Sequence, residues 1–264
     1  MIEFERKERY GFEDLLQIMK ILRAPDGCMW DREQDHHSIR RNFIEETYEA
    51  VEAIDNEDSE LLKEELGDVL LQVVFHAEIE SEKNVFDIGD VTDGICKKLI
   101  FRHPHIFSET QVSSTGEILE NWEHLKQAEK HQRTAADTLD SVARSLPALI
   151  RADKVLTKAA KAGFDWESVD DALGKVREEL QELEEAVHQG TNAAEELGDL
   201  LLAAAGVARF IGCDPEQSTV QSCEKFISRF RQVETLSEGR PLGELTLDEL
   251  TALWQQAKES ARLP

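Results

Sequence analysis

Apolar residues recur along this chain every three or four positions. Leu15, Ile18, Met19 and Leu22 form one such series, and Phe43, Thr47, Ala50, Val51 and Ile54 form another. This spacing puts side chains on one face of an α-helix, and no stretch alternates convincingly as a half-buried strand does. Two denser apolar runs, Val69 to Ala77 and Leu200 to Ala208, read as buried helix segments. Both fall far short of the ~20 residues that a membrane-spanning helix needs. Pro25-Asp26-Gly27 and Gly239-Arg240-Pro241 read as loops, and Ser145-Leu146-Pro147 as a helix start with Pro inside the first turn. The pattern predicts an all-α protein.

The pattern also repeats. Glu45-Glu46-Thr47-Tyr48-Glu49 returns as Glu178-Glu179-Leu180-Gln181-Glu182, and Glu64-Glu65-Leu66-Gly67-Asp68 as Glu195-Glu196-Leu197-Gly198-Asp199. Lys98 and Arg102 return as Lys225 and Arg229, and Trp122 and Lys126 as Trp254 and Lys258. Four elements in one order, offset by roughly 130 positions, imply a tandem pair of helical modules. Each half reads as four helices with the short connections usual in bundles. The expected division is residues 1–130, a linker at 131–146, and residues 147–264.

Composition narrows the functions such a fold can serve. The 264 residues carry 30 basic and 55 acidic side chains, a formal charge of −25. Such a surface repels duplex nucleic acid and anionic membranes, because non-specific nucleic-acid binding is mostly phosphate neutralisation. A phosphate-bearing substrate therefore needs a cation to bridge two negative partners. Cys28, Cys96, Cys213 and Cys223 form no C-x-x-C pair and read as reduced thiols. The charged N-terminal stretch does not resemble a secretory signal, so the expected location is the cytoplasm.

The acids carry the chemistry. Glu46 and Glu49 share one helix face, and Glu65 and Asp68 share a face on the next helix. Antiparallel packing of the two helices would converge four carboxylates whose mutual repulsion a hard divalent cation relieves. An all-oxygen donor set suits Mg²⁺ or Mn²⁺. Glu179, Glu182, Glu196 and Asp199 repeat the arrangement. In so acidic a chain, a Glu-rich helix is ordinarily a solvated face. Here, however, each Glu-Leu-Gly-Asp leads straight into an apolar run. The glycine in it costs helix stability, roughly 1 kcal/mol relative to Ala; its recurrence at 67 and 198 suggests close helix approach or room for a ligand. A di-iron bundle would use Glu-x-x-His rather than Glu-x-x-Asp. His76 has Val207 as its counterpart and reads as a packed or hydrogen-bonded residue, and His103 and His105 read as structural. Lys98 with Arg102, and Lys225 with Arg229, offer cations for phosphate. Trp122 and Trp254 offer indoles able to stack on a base, each one turn from a lysine.

These segments resemble the MazG family of nucleoside triphosphate pyrophosphohydrolases in its two-domain form. The resemblance rests on the two E-E-x-x-E and E-x-x-D pairs, together with Gly27-Cys28-Met29-Trp30-Asp31, Arg102-His103-Pro104-His105-Ile106-Phe107, Arg144-Ser145-Leu146-Pro147-Ala148-Leu149 and Gly163-Phe164-Asp165-Trp166. It implies Mg²⁺-dependent cleavage of nucleoside triphosphates to monophosphates and pyrophosphate by a homodimer whose helices combine across subunits. Carried over residue by residue, it implies metal ligation by Glu179, Glu182, Glu196 and Asp199, and by Glu46, Glu49, Glu65 and Asp68. Nucleotide contacts fall to Lys175, Glu178, Glu195, Lys225, Arg229, Trp254 and Lys258, and in the first half to Lys98, Arg102, Trp122 and Lys126. Glu178 or Glu182 is the expected general base. Two departures stand out: Asn42 occupies the first-half position of Lys175, with Arg40 or Arg41 nearby to compensate, and Met29 stands where relatives often have Pro. The second half is therefore expected to be the stronger site. The alternative, most plausible for the first half, is a non-catalytic helical module that senses nucleotide or docks a protein.

Overall fold

The computed structural model describes residues 4–108, 114–129 and 134–260. Among them there are helices and no strands. The chain divides into two compact units, residues 1–126 and 127–264. Thirteen α-helices appear among the described residues. They are α1 (Phe12–Arg23), α2 (Met29–Glu33), α3 (Arg40–Asp55), α4 (Ser59–Glu82), α5 (Ile88–Arg102), α6 (Pro104–Phe107) and α7 (Thr115–Glu129), then α8 (Ala135–Asp140), α9 (Ala148–Lys161), α10 (Val169–Gln189), α11 (Ala193–Phe210), α12 (Pro215–Leu236) and α13 (Leu247–Ser260). Within the segment read as linker, residues 131–133 lie outside the described residues, and α8 occupies Ala135–Asp140 and packs on α9.

The four repeated elements fall on α3, α4, α5 and α7, and again on α10, α11, α12 and α13. A further helix joins each set from its N-terminal side: α1 packs on α4, and α9 on α11. The central pairing is α3 against α4 in one unit and α10 against α11 in the other. Short polar side chains set where these helices begin. The Asp58 carboxylate accepts from the backbone N–H groups of Glu60 and Leu61 and so starts α4. Ser168 caps α10, and Asp214 caps α12 with Pro215 in its first turn. Gly190, in the left-handed region at φ 67°, ends α10 and turns the chain into α11. Pro147 is the cap residue of α9 rather than part of its first turn, a place where its missing N–H leaves no helical bond unmade.

The first unit has the denser core: Met19, Ile39, Val74, Phe75 and Ile79, with Leu15, Leu16, Leu71 and Ile88 packed on it. Arg23 fastens this region. Its guanidinium grips both oxygens of Glu82 at 2.6 and 2.8 Å, donates to the carbonyls of Asp31 and Gln34, and lies over the Phe75 ring. In the second unit the tight contact is made by small residues. Ala203, Ala205 and Ala208 are buried along α11, and a Cβ on Gly206 would sit 2.8 Å from the Trp166 ring. Arg209 fastens this unit by forking onto Asp165. Much apolar surface remains uncovered. On the predicted α3 series Ala50 is buried, whereas Val51 and Ile54 are exposed; Leu66, Leu70, Leu197 and Leu201 are exposed as well. No helix among the described residues is long and apolar enough to cross a membrane.

Candidate active site

Helical spacing and antiparallel pairing do bring the acids together, once in each unit. From α3 and α4, oxygens of Glu46, Glu49 and Glu65 lie within 4.8 Å of one another. From α10 and α11, oxygens of Glu179, Glu196 and Asp199 do the same. The close trios are not strict copies. Asp68 acts on Glu46 and Glu65 from just outside the first, and Glu182 borders Glu179 and Glu196 from just outside the second. The deeply placed acid also differs, being Glu65 in the first and Glu179 in the second.

Electrostatics show the strain of this convergence. Burial pushes the Glu46 carboxyl up from its ordinary value, with the charges of Asp68 and Glu49 and a hydrogen bond to Glu49 adding to it. Burial, Glu49 and Asp68 raise Glu65 in the same way. In the second cluster Glu182 is raised by burial and by Glu179 and Glu196, and the Lys175 charge opposes the rise. The donor chemistry fits a hard cation: several carboxylate oxygens from two helices lie close together, with Glu46, Glu65 and Glu182 pushed towards the protonated form by burial and by their acidic neighbours. Gly67 and Gly198, beside the acids, meet nothing within 4 Å where a Cβ would stand. Close helix approach is thus not their role within one chain; the space next to the acids is open.

Two second-half contacts were not visible in the motif pattern. Lys175 donates to Glu178 at 2.7 Å and pairs with Glu179 at 2.5 Å, and these bonds hold its ammonium well above the usual lysine range. The Asn192 amide donates to Glu196 at 2.7 Å and to Glu195 at 3.3 Å. In the first half, Arg41 does not reach the acidic trio, because its guanidinium is committed to Glu45 at 2.7 Å. Arg40 is exposed.

The cationic and aromatic residues gather separately. Arg102 and Lys126 both lie over the Trp122 ring, 5.2 and 4.8 Å from its centroid. Trp254 on α13 meets Phe226 on α12 at 4.9 Å, beside Lys225 and Arg229. Lys98 sits one turn before Arg102 on exposed α5. Among the described residues no ion pair joins Lys225, Arg229 or Lys258 to the second acidic cluster. His76 bonds His36 at 2.7 Å, His36 bonds Glu80 at 2.6 Å, and Lys83 donates to the same Glu80 oxygen at 2.7 Å. His103 bonds the Leu99 carbonyl at 2.7 Å.

The model of the MazG nucleotide pyrophosphohydrolase domain matches twice, at residues 34–107 and 167–234. The chain belongs to the MazG family. The MazG matches enclose both acidic helix pairs and both Lys-Arg pairs, whereas Trp122, Lys126, Trp254 and Lys258 lie beyond them. A nucleoside triphosphate pyrophosphohydrolase/pyrophosphatase MazG of Thermotoga maritima is 42% identical over 94% of this chain and 95% of its own length. A nucleoside triphosphate pyrophosphohydrolase of Escherichia coli K12 is 41% identical over 92% of this chain and 95% of its own. One from Mycolicibacterium smegmatis is 35% identical over 94% and 71%.

Proposed function

We propose that this MazG protein is a nucleoside triphosphate pyrophosphohydrolase. It cleaves the α–β bond of a ribo- or deoxyribonucleoside triphosphate to give the monophosphate and pyrophosphate. The observation that carries this reading is the recurrence, in both family-matched segments, of three carboxylates from two helices within 4.8 Å. Mg²⁺ is the proposed cofactor, with Mn²⁺ able to substitute; Glu179, Glu182, Glu196 and Asp199 would hold it in the second half, and Glu46, Glu49, Glu65 and Asp68 in the first. Held there, such an ion would supply charge neutralisation for the phosphates and would make the attacking water more acidic. The protein supplies the rest. Glu178 or Glu182 takes the proton from the attacking water. Lys225 and Arg229 oppose charge developing on the departing pyrophosphate. Trp254 stacks on the base, with Lys258, Lys175 and Glu195 contacting the nucleotide; Lys98, Arg102, Trp122 and Lys126 are the first-half equivalents.

A homodimer belongs to the same proposal. Among the described residues the α12–α13 cations form no ion pair with the second acidic cluster, and apolar stripes beside the acids lie uncovered. A partner subunit covering those stripes would also close the site. For the first half a second reading has support: Asn42 replaces Lys175, which suits a nucleotide-sensing rather than a catalytic role. The cytoplasm is the proposed location.

Purified protein assayed on a panel of nucleoside triphosphates, with and without Mg²⁺, tests the main reading. Metal-dependent release of monophosphate and pyrophosphate is expected. Orthophosphate with a nucleoside diphosphate would rule out α–β cleavage, and no turnover by folded, metal-supplied protein would point to a binding module.

A further inference from the structure

The two acidic clusters share their carboxylates and differ in what already neutralises them. In the second, the Lys175 ammonium sits 2.5 Å from Glu179, an acid only 5% exposed, and 2.7 Å from Glu178. The Asn192 amide occupies an oxygen of Glu196. Two of the three acids of the close trio are therefore engaged by donors of the chain itself. In the first cluster Asn42 stands in the place of Lys175 and Leu61 in that of Asn192. Among the described residues no basic side chain pairs with Glu46, Glu49, Glu65 or Asp68. A divalent ion entering the first cluster meets carboxyl groups that have no basic partner, Glu46 and Glu49 being hydrogen-bonded to each other. One entering the second must take Glu179 from a resident cation that also repels it.

We propose that Lys175 is a tethered counter-ion that makes the two clusters load differently: the first takes a divalent cation directly from solution, whereas the second loads together with a polyphosphate. The phosphate tail is what frees the acid, since it gives the ammonium a new anionic partner one side chain's reach away. Metal and nucleotide then strengthen each other's binding in the second half, and by linkage the coupling is reciprocal. Lys175 acts here as a positioning residue, and the proposal rests on the hydrolase reading above in taking the acids as cation ligands and a polyphosphate as the ligand of the second half.

Mn²⁺ titration of the full chain, read by the electron paramagnetic resonance of the free ion, tests it with no turnover involved. Glu49→Gln leaves the second cluster to be measured alone, and Asp199→Asn leaves the first. Without nucleotide, the second is expected to bind Mn²⁺ several-fold more weakly than the first, and a triphosphate analogue with an uncleavable α–β link should tighten it. Lys175→Asn should tighten the nucleotide-free second cluster by roughly three- to tenfold, as loss of a half-exposed ion pair implies. The reciprocal Asn42→Lys should weaken the first by a similar factor, with circular dichroism reporting retained helix in each variant. Affinities unmoved by both exchanges overturn the proposal, and Mg²⁺-dependent turnover in the same preparation would leave the hydrolase reading standing. Mn²⁺ bound at neither cluster overturns both.

Discussion

At the scale of single residues, the acids were readable and their neutralisers were not. Three- and four-residue spacing fixes which carboxylates share a helix face, so the two candidate quartets follow from counting along the chain, whereas Asp68 and Glu182 standing outside the close trios does not. Which oxygen a lysine or an amide takes depends on rotamers and on the approach of a second helix, and the sequence does not encode that choice locally. Hence the sequence marks Lys175 as a phosphate contact and gives no sign of its bonds to Glu178 and Glu179, nor of the Asn192 contact with Glu196. The glycines show the same limit. Gly67 and Gly198 lie open, whereas the unremarked Gly206 faces Trp166. The proposed roles predict a sharp contrast between halves. Asp199→Asn should lower kcat/KM by about 10²-fold or more, the scale on which a group stabilising transition-state charge is lost. Asp68→Asn should change it little if the first half is a sensing module. Steady-state kinetics on the two variants decide this, and equal losses would make both halves catalytic.

At the scale of elements, start signals and fasteners hold the helices that carry the acids. Asp58 satisfies two backbone N–H groups at the start of α4. Asp58→Ala should cost about 1 kcal/mol, the usual worth of such a cap, visible as a lower urea midpoint with an unchanged slope. Gly206→Ala forces a methyl against the Trp166 ring and should cost about 1–3 kcal/mol, as overpacking does; an unchanged midpoint would mean that the ring moves aside freely. Acid should loosen both units, through Asp14, Asp35 and Glu80 in the first and through Asp165 and Glu249 in the second. Arg209 holds the Asp165 carboxyl below its ordinary value, and Arg240, with Thr246, holds Glu249 at the start of α13 down to about 2. A carboxylate with a depressed folded pKa stabilises the fold above its unfolded value of ~4, and that contribution is lost as pH falls through the folded value. Thermal melts between about pH 4 and pH 2 should therefore fall in the wild type and fall less steeply in Asp165→Asn. Parallel curves would show that the Arg209 fork contributes nothing to acid stability. The helices on the N-terminal side of each module, α1 and α9, are legible from the Leu15 to Leu22 periodicity and the Ser145-Leu146-Pro147 start, but not as parts of the repeat, because they carry none of its motifs.

For the whole molecule, what the chain leaves uncovered says most. Its periodicity marked α3 as amphipathic, yet Val51 at 42% and Ile54 at 57% exposure remain outside the core, as do Leu197 and Leu201 beside the second acidic trio. Contiguous apolar stripes of this kind are uncommon on monomers and mark surfaces that another protein covers. Sequence periodicity reports that a face is apolar and not which chain it meets, so a stripe satisfied by a partner reads the same as one buried internally. The acids add a constraint: with a charge of −25, two copies approach only where apolar area and cation binding outweigh repulsion, which singles out the faces next to the acidic clusters. Sedimentation velocity at micromolar concentration should therefore show a dimer. Leu201→Lys, placing a charge in the stripe while leaving every proposed ligand intact, should shift it to monomer and reduce turnover together. If the variant is monomeric and fully active, each chain closes its own site and the α12–α13 cations serve the acids of the same copy. If the wild type itself sediments as a monomer, the exposed leucines await some other partner, and the proposed shared site is wrong.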